Sequence, residues 1–280
     1  MGLEHFYDVL SKTLARYAAA LGYSLVWGGY VSPQSNTLKD DILQICERYI
    51  SQNIQGVFFA PFGFHPHADQ INREIVNTFT AASVPIVLLD ANVRPHPAPT
   101  DFDLVSLDNF HAGYVMTEYL LQQGIRRLFF FAPPNSHHSI RFRYMGFREA
   151  LLDHGITPTD DVLIALARDD TEGVRRVIAE RTPDGILCSN DITAINVMRS
   201  LEAIGIAVPN DIALAGFDNL SRAMLFPHAI TSIEQPVDKI SRTALTLMIE
   251  RLQNPQKSPC RIDIRVVRLE FRKRFFNCGG

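Results

Sequence analysis

The chain has 280 residues, a length that allows about two domains. Apolar residues make up 46% of it and charged residues 20%, with 27 Lys and Arg against 30 Asp and Glu. This balance excludes a disordered chain and argues against nucleic-acid binding over the whole surface. No apolar run approaches the roughly 18 residues that a membrane helix requires. The N-terminus lacks the basic start and apolar run of a secretory signal, which predicts a cytoplasmic protein.

The four cysteines are scattered and form no CxxC pair: they are Cys46, Cys188, Cys260 and Cys278. This spacing favours reduced thiols, with a single disulfide as the alternative. The histidine pairs His65-Pro66-His67 and His137-His138 lack a nearby cysteine or acidic cluster at zinc-ligand spacing. We therefore predict no metal and no cofactor.

Helix-like and strand-like patterns alternate along the chain. In the first helix, apolar residues recur at spacings of three and four, at Phe6, Leu10, Leu14, Ala18 and Leu21, and Gly22 ends it. The predicted helices cover residues 4–21, 38–52, 67–82, 110–123, 142–154, 171–181, 193–204 and 237–253. The predicted strands cover residues 23–27, 55–60, 84–89, 103–107, 127–132, 162–165, 185–189, 212–217 and 230–233, with an edge strand at 261–271.

Several of these strands, such as RLFFFA and GILCS, carry consecutive apolar residues and lack the period-2 alternation of polar and apolar positions. Strands of this kind are covered on both faces, as in a parallel sheet. Repeated strand–helix units with such strands predict a doubly wound α/β fold.

Polar residues cluster where the predicted strands end, which is where open α/β sheets bind ligands. The strand ends carry Asp90, Asp108-Asn109, Asn190-Asp191 and Asp218-Asn219, and one following loop carries His137, His138, Ser139, Arg141 and Arg143. Such groups suit neighbouring hydroxyls, and Phe6, Tyr7, Phe62 and Phe217 could supply apolar walls. The alternative is that Asp and Asn at these junctions only cap helices. A cap does not explain Arg143, which the pattern places at a helix start, where a cation is disfavoured.

Long stretches of the chain follow a known family pattern, among them VPIVLLD, RFRYMGFREALLDHGI, DGILCSNDITAINVMRSLEAIGIAVPNDIALAGFDN and ITSIEQPVDKISRTALTLMI. In these stretches the chain resembles the effector-binding core of LacI/GalR-type transcription regulators, which share the type I periplasmic sugar-binding fold. The resemblance implies two Rossmann-like lobes joined by three crossovers, with a small sugar bound between them. Residues 1–107 and 236–261 would form the N-terminal lobe, and residues 108–235 and 262–280 the C-terminal lobe.

The resemblance also implies a set of effector contacts: Asp90, Arg143, Asn190, Asp218 and Gln235, with Phe6 and Phe217 beside the ligand. Four of these five polar residues also belong to the strand-end group. Ala91-Asn92 departs from the family pattern, in which an Arg often follows the Asp.

Two parts of the family's architecture are expected to be missing: the helix-turn-helix head that reads DNA, and the first strand of the N-terminal lobe. The sequence is therefore expected to be a fragment, to have a misassigned start, or to fill the place of the missing strand in another way. Two loops, FGFHPHADQ and DANVRPHPAPTDFD, look like regulators whose sugar-sensing domain is fused to a GntR-type winged helix.

The leading hypothesis is a non-enzymatic, allosteric sugar-sensing domain of a homodimeric regulator, which contacts DNA only through a separate head. The alternative is the solute-binding protein of a sugar transporter. An enzyme is disfavoured because GxSxG, Walker, GxGxxG and HExxH motifs are lacking. The basic stretch at residues 265–274 favours a solvated edge strand over a nucleic-acid patch.

Overall fold

The computed structural model describes residues 6–27, 37–167, 169–219, 230–265 and 268–270. They form two compact units. The N-unit holds Tyr7–Leu107 and Val237–Ile264, and the C-unit holds Asp108–Pro236, Phe6 and the chain from Arg265 onward. Each unit is therefore built from more than one segment of the chain.

The helices and strands follow one another in the predicted alternation. In chain order they are α1 (Phe6–Ala20), α2 (Leu38–Ser51), β1 (Val57–Phe59), α3 (Ala68–Ala81), β2 (Ile86–Leu89), β3 (Asp103–Leu107), α4 (Asn109–Gln122), β4 (Leu128–Phe131), α5 (His138–Asp153), β5 (Leu163–Ile164), α6 (Thr171–Arg181), β6 (Gly185–Cys188), α7 (Asp191–Ala203), β7 (Ala213–Asp218), β8 (Ile230–Glu234), α8 (Val237–Gln253), β9 (Arg261–Ile264) and β10 (Leu269–Glu270). No helix among these described elements is long and apolar enough to cross a bilayer.

The N-unit is built on a parallel sheet with the strand order β1-β2-β3-β9. Every residue of β2 and β3 is buried, which explains why these strands lack polar alternation. Helices α2 and α3 place Ile42, Ile75 and Phe79 in the apolar cluster that also contains Leu88 of β2. In α1 the predicted apolar positions Leu10, Leu14 and Ala18 are buried as well.

One predicted strand of this unit is wrong. Residues 23–27 form no strand, and Val26 and Trp27 expose 59% and 63% of their surface. A strand exists only when its backbone groups pair with a neighbour. Among the described residues no strand pairs with this segment, and β1 pairs only with β2.

The C-unit contains a six-stranded sheet with the order β10-β8-β7-β6-β4-β5, parallel except for β10. Phe130, Phe147 and Phe217 are among its fully buried side chains. Parallel strands alternating with helices in both units confirm the predicted α/β fold class.

The predicted edge strand at 261–271 is also wrong as one element. Its first part, β9, pairs with β3 in the N-unit, and β10 pairs with β8 in the C-unit. The chain changes units after Ile264, so a continuous strand cannot form. Much of the basic stretch at 265–274 lies outside the described residues, at 266, 267 and from 271 onward.

Candidate ligand-binding site

The strand order of the C-unit sheet predicts where a ligand would bind. The chain runs outward from β4 to β5 and then returns across β4 to β6, so the topological switch point lies between β4 and β6. Open α/β sheets bind ligands outside the carboxyl ends of the strands at this point. Arg143, Asn190 and Gln235 lie in the segments that follow β4, β6 and β8, and Asp218 is the last residue of β7.

Arg143 is 3% exposed and makes two hydrogen bonds through its guanidinium. Its Nε donates to Asn109 Oδ1 at 2.8 Å, and its Nη1 donates to the Ser189 carbonyl oxygen at 2.7 Å. The sequence pattern placed Arg143 at a helix start, which is wrong because α5 begins at His138. Arg143 therefore lies beyond the first turn, where the helix dipole no longer opposes a cation.

Two glycines bring α4 and α5 into main-chain contact and so carry Asn109 to Arg143. A β-carbon on Gly113 would lie 2.7 Å from the Arg143 carbonyl carbon, and one on Gly146 would lie 2.9 Å from the Phe110 carbonyl carbon. Real β-carbons do not approach this closely, so only glycine fits at either position.

Asp218 and Gln235 complete the cluster. Gln235 Nε2 donates to Asp218 Oδ1 at 2.7 Å, and Arg143 Nη2 lies 3.7 Å from the same oxygen. The Arg143–Asp218 contact is thus a buried ion pair without a direct hydrogen bond. The buried Gln235 Oε1 receives no hydrogen bond from the described residues, so it can accept one from a ligand.

Phe217 is fully buried and packs against the Arg143 side chain of this cluster. The guanidinium carbon of Arg143 lies 4.5 Å from the centre of the Phe217 ring, which is a cation–π distance. A direct contact between Phe217 and a ligand stays a prediction.

Asn190 caps a helix, as the alternative interpretation of the strand ends proposed. Its Oδ1 accepts a hydrogen bond from the Thr193 amide at 2.9 Å at the start of α7. Asp108 caps α4 in the same way by accepting from the His111 amide. Capping uses only the Oδ1 of Asn190, so its amide nitrogen could still donate to a ligand.

Asp90 and Phe6 are the remaining predicted contacts. Asp90 follows β2 in the N-unit with a φ of +70°, and its Oδ2 accepts a hydrogen bond from the Tyr7 hydroxyl at 2.9 Å. Phe6 is 7% exposed. Phe62, a candidate apolar wall, instead packs against the N-unit core and is held by hydrogen bonds to the Asn72 side chain. Contacts of Asp90 and Phe6 with a ligand stay predictions.

Metal sites and disulfides require specific arrangements of side chains. No group of three His, Cys, Asp or Glu among them could hold a metal ion. Cys46, Cys188 and Cys260 are free thiols, and Cys278 lies outside the described residues. Burial, together with the nearby Asp191 carboxylate, raises the pKa of the Cys188 thiol well above its usual value.

Residues 117–273, more than half of the chain, match the family of periplasmic binding protein-like domains. The chain belongs to this family. It is 27% identical over 186 residues to the HTH-type transcriptional repressor PurR of Shigella sonnei, a match that covers 65% of this chain and 53% of the relative. The chain thus spans about half the length of the curated relatives that it matches.

Solved structures of the periplasmic binding protein-like fold are also similar. A complex of the transcriptional regulator CelR with cellobiose gives a TM-score of 0.78 at 23% identity, over 96% of this chain and 79% of that one. A LacI family transcriptional regulator from Enterococcus faecium with bound ribose gives 0.74 at 22% identity, over 95% of this chain and 92% of that one. These matches confirm the predicted resemblance to the effector-binding domain of LacI-family regulators, and the matched proteins are named as repressors and regulators, not as enzymes.

Two hydrogen-bond partners of Arg143 were not predictable as such from the sequence. Asn109 was recognised only as a polar residue at a strand end, and the Ser189 carbonyl is a main-chain group that no residue type signals. The sequence signal for Asn109 was its position as a polar residue just after the end of β3.

Proposed function

We propose that this chain is the ligand-sensing part of a transcription regulator and that its effector is a small sugar or sugar derivative. The observation that carries the proposal is the buried cluster of Arg143, Asp218 and Gln235 at the switch point of the C-unit sheet. The family match and the sugars named in two similar structures, cellobiose and ribose, support it.

The hydrogen-bonding groups of the cluster suit a polyol. Arg143 and Gln235 Nε2 are donors, and Asp218 and Gln235 Oε1 are acceptors, so adjacent hydroxyls can both donate and accept. The 3.7 Å between Arg143 Nη2 and Asp218 Oδ1 leaves both groups able to bond a ligand hydroxyl. Asp90, Asn190, Phe6 and Phe217 are the further contacts that we propose.

The charges of the cluster favour an uncharged sugar over a phosphorylated one. The positive charge of Arg143 is offset by the carboxylate of Asp218, which is 9% exposed and close to it. A phosphate would have to compete with this carboxylate for the guanidinium, and like charges that approach in a buried site repel strongly.

A regulator needs more than ligand binding. We propose that the effector alters DNA binding by a separate head through a homodimer in the cytoplasm. Such coupling requires that the sugar bind one conformation more tightly than another. The N-unit and C-unit would be the two lobes of the sensing module.

Isothermal titration calorimetry with a panel of pentoses, hexoses and their phosphates, together with cellobiose, tests the proposal. We expect at least one sugar to bind, and we expect Asp218→Asn to weaken that binding by roughly 1–3 kcal/mol, the cost of an unmade hydrogen bond. Asp153→Asn is the matched control, because among the described residues this exposed carboxylate accepts only from the Tyr114 hydroxyl. If no pentose, hexose or phosphorylated sugar binds, the sensor function is wrong.

The second candidate is the solute-binding protein of a sugar transporter, because proteins of that kind share the family fold. The gene sequence upstream of the Met1 codon separates the two. A winged-helix or helix-turn-helix head there favours the regulator, and a signal peptide favours the transporter.

A further inference from the structure

The turn that carries Asp218 has an unusual backbone. Asp218 and Asn219 have φ values of +105° and +46°, in the left-handed region that side chains disfavour. Residues held there cost about 1–3 kcal/mol each and persist only where their surroundings hold them. Contacts from neighbouring elements must therefore stabilise this turn.

Ser232 of β8 makes the first of two hydrogen bonds under the turn. The Asn219 amide donates to Ser232 Oγ at 3.0 Å. This amide belongs to the peptide group that follows Asp218, so the bond restrains ψ of Asp218 and thereby the direction in which its Cα–Cβ bond leaves the main chain.

Asp191 makes the second hydrogen bond. Ser232 Oγ donates to Asp191 Oδ1 at 2.7 Å, and both side chains are 0% exposed. A hydroxyl has one proton, and because the carboxylate takes it, the oxygen lone pairs are left to accept from Asn219. The carboxylate thus fixes the hydroxyl as an acceptor.

Gly216 makes room for this arrangement. It lies opposite Ser232 in the β7–β8 register, and a β-carbon on it would come 2.5 Å from Asp191 Oδ1. Asp191 is the first residue of α7, where the helix dipole stabilises a buried carboxylate. Three elements therefore meet at one chain of hydrogen bonds.

We propose that Asp191 and Ser232 are positioning residues that hold the Asp218 carboxylate in place for Gln235 and Arg143. Neither residue needs to touch a ligand. The role of Asp218 as a sugar contact rests on the proposed function, whereas its positioning by Ser232 and Asp191 does not.

Nuclear magnetic resonance of the protein without ligand tests the inference. The side-chain amide of Gln235 donates to Asp218, so its resonances report where the carboxylate lies. In Ser232→Ala we expect them to move toward the values of a free glutamine, and we expect hydrogen exchange of the Asn219 amide to quicken up to about tenfold. Asp191→Asn keeps the side-chain shape, and we expect a smaller shift in the same direction.

Ser241→Ala is the matched control, because Ser241 is also 0% exposed and its Oγ has no hydrogen-bond partner among the described residues. It should leave the Gln235 resonances unchanged. The inference is overturned if Gln235 keeps its wild-type resonances in Asp191→Asn and in folded Ser232→Ala. Because no sugar is added, a failed sugar titration would count against the proposed function and leave this result intact.

Discussion

Arg251 holds Asp103 with two hydrogen bonds, from Nε to Oδ2 at 2.9 Å and from Nη2 to Oδ1 at 3.1 Å. Asp103 opens β3 and is 1% exposed, and it also accepts from the Cys260 amide just before β9. Asp103 therefore links the end of α8 to the start of β3 and to the residue that precedes β9, all within the N-unit. Two parallel bonds between a guanidinium and a carboxylate are a strong and geometrically demanding contact.

Replacing Arg251 by Ala should destabilise the protein by about 3–5 kcal/mol, because it leaves a buried carboxylate without its cation. Arg261→Ala removes a more exposed pair with Asp263 and should cost less than about 1 kcal/mol. Urea unfolding, monitored by circular dichroism, measures both. Equal losses in the two variants would contradict the role assigned to Arg251.

Element identity was predictable from the sequence where it depends on local periodicity. The predicted bounds of α6, α8 and β3 coincide with the observed ones. The strand at 23–27 was wrong because a strand also depends on a neighbour that periodicity does not reveal. The start of α5 was set four residues too late because polar residues such as Ser139 and Arg141 break the apolar pattern there.

The candidate site was predictable in part for a topological reason. Arg143 follows β4 and Asp218 ends β7, so the shared edge of one sheet brings them together. Gln235, which follows β8, was expected only from the family resemblance. The partnership of Ser232 with Asp191 was not predictable, because it depends on the register between β7 and β8 and on how closely α7 approaches Gly216. The hydrogen bond from Arg143 to the Ser189 carbonyl was not predictable either, because every residue type carries a main-chain carbonyl.

The close approach of α4 and α5 gives a second prediction. Gly113→Ala should destabilise the C-unit by about 1–3 kcal/mol, because the new methyl meets the main chain of Arg143, which cannot turn away as a side chain can. This cost exceeds the roughly 1 kcal/mol that alanine gains over glycine within a helix.

Gly56→Ala is the control for this prediction. Its methyl would meet the sulfur end of the Met248 side chain, which can move, so the loss of stability should be smaller. Urea unfolding of both variants, with the Gln235 side-chain resonances as a local probe, measures the difference. A Gly113→Ala protein as stable as Gly56→Ala would show that the helices can separate at little cost.

The buried ion pair of the site gives a third prediction. Arg143→Met and Asp218→Asn should each destabilise the protein, since each leaves an opposite charge or polar group buried without its partner. The double variant should lose less than the sum, with a coupling energy of about 1–3 kcal/mol in a double-mutant cycle.

The exposed pair of Arg16 and Asp238 serves as the comparison, because its side chains are 65% and 70% exposed. A cycle on this pair should give a coupling energy below about 1 kcal/mol that shrinks further in salt. Additive effects at Arg143 and Asp218 would mean that the 3.7 Å contact contributes no interaction energy.

The cysteines give the last prediction, which concerns pH. Burial raises the pKa of Cys46 to about 11, and burial together with the Asp191 carboxylate raises the pKa of Cys188 well above its usual value. At pH 8 only about one Cys46 thiol in a thousand is then ionised, and the thiolate is the reactive form. Iodoacetamide should therefore modify the half-buried Cys260 well before Cys46 or Cys188, and the labelling rate at Cys46 should rise as the pH approaches 11.

Peptide mass spectrometry after timed labelling measures each site separately. The control is the urea-unfolded protein, in which Cys46, Cys188 and Cys260 should react alike. Labelling of Cys46 or Cys188 in the folded protein at the Cys260 rate would contradict the burial of these thiols.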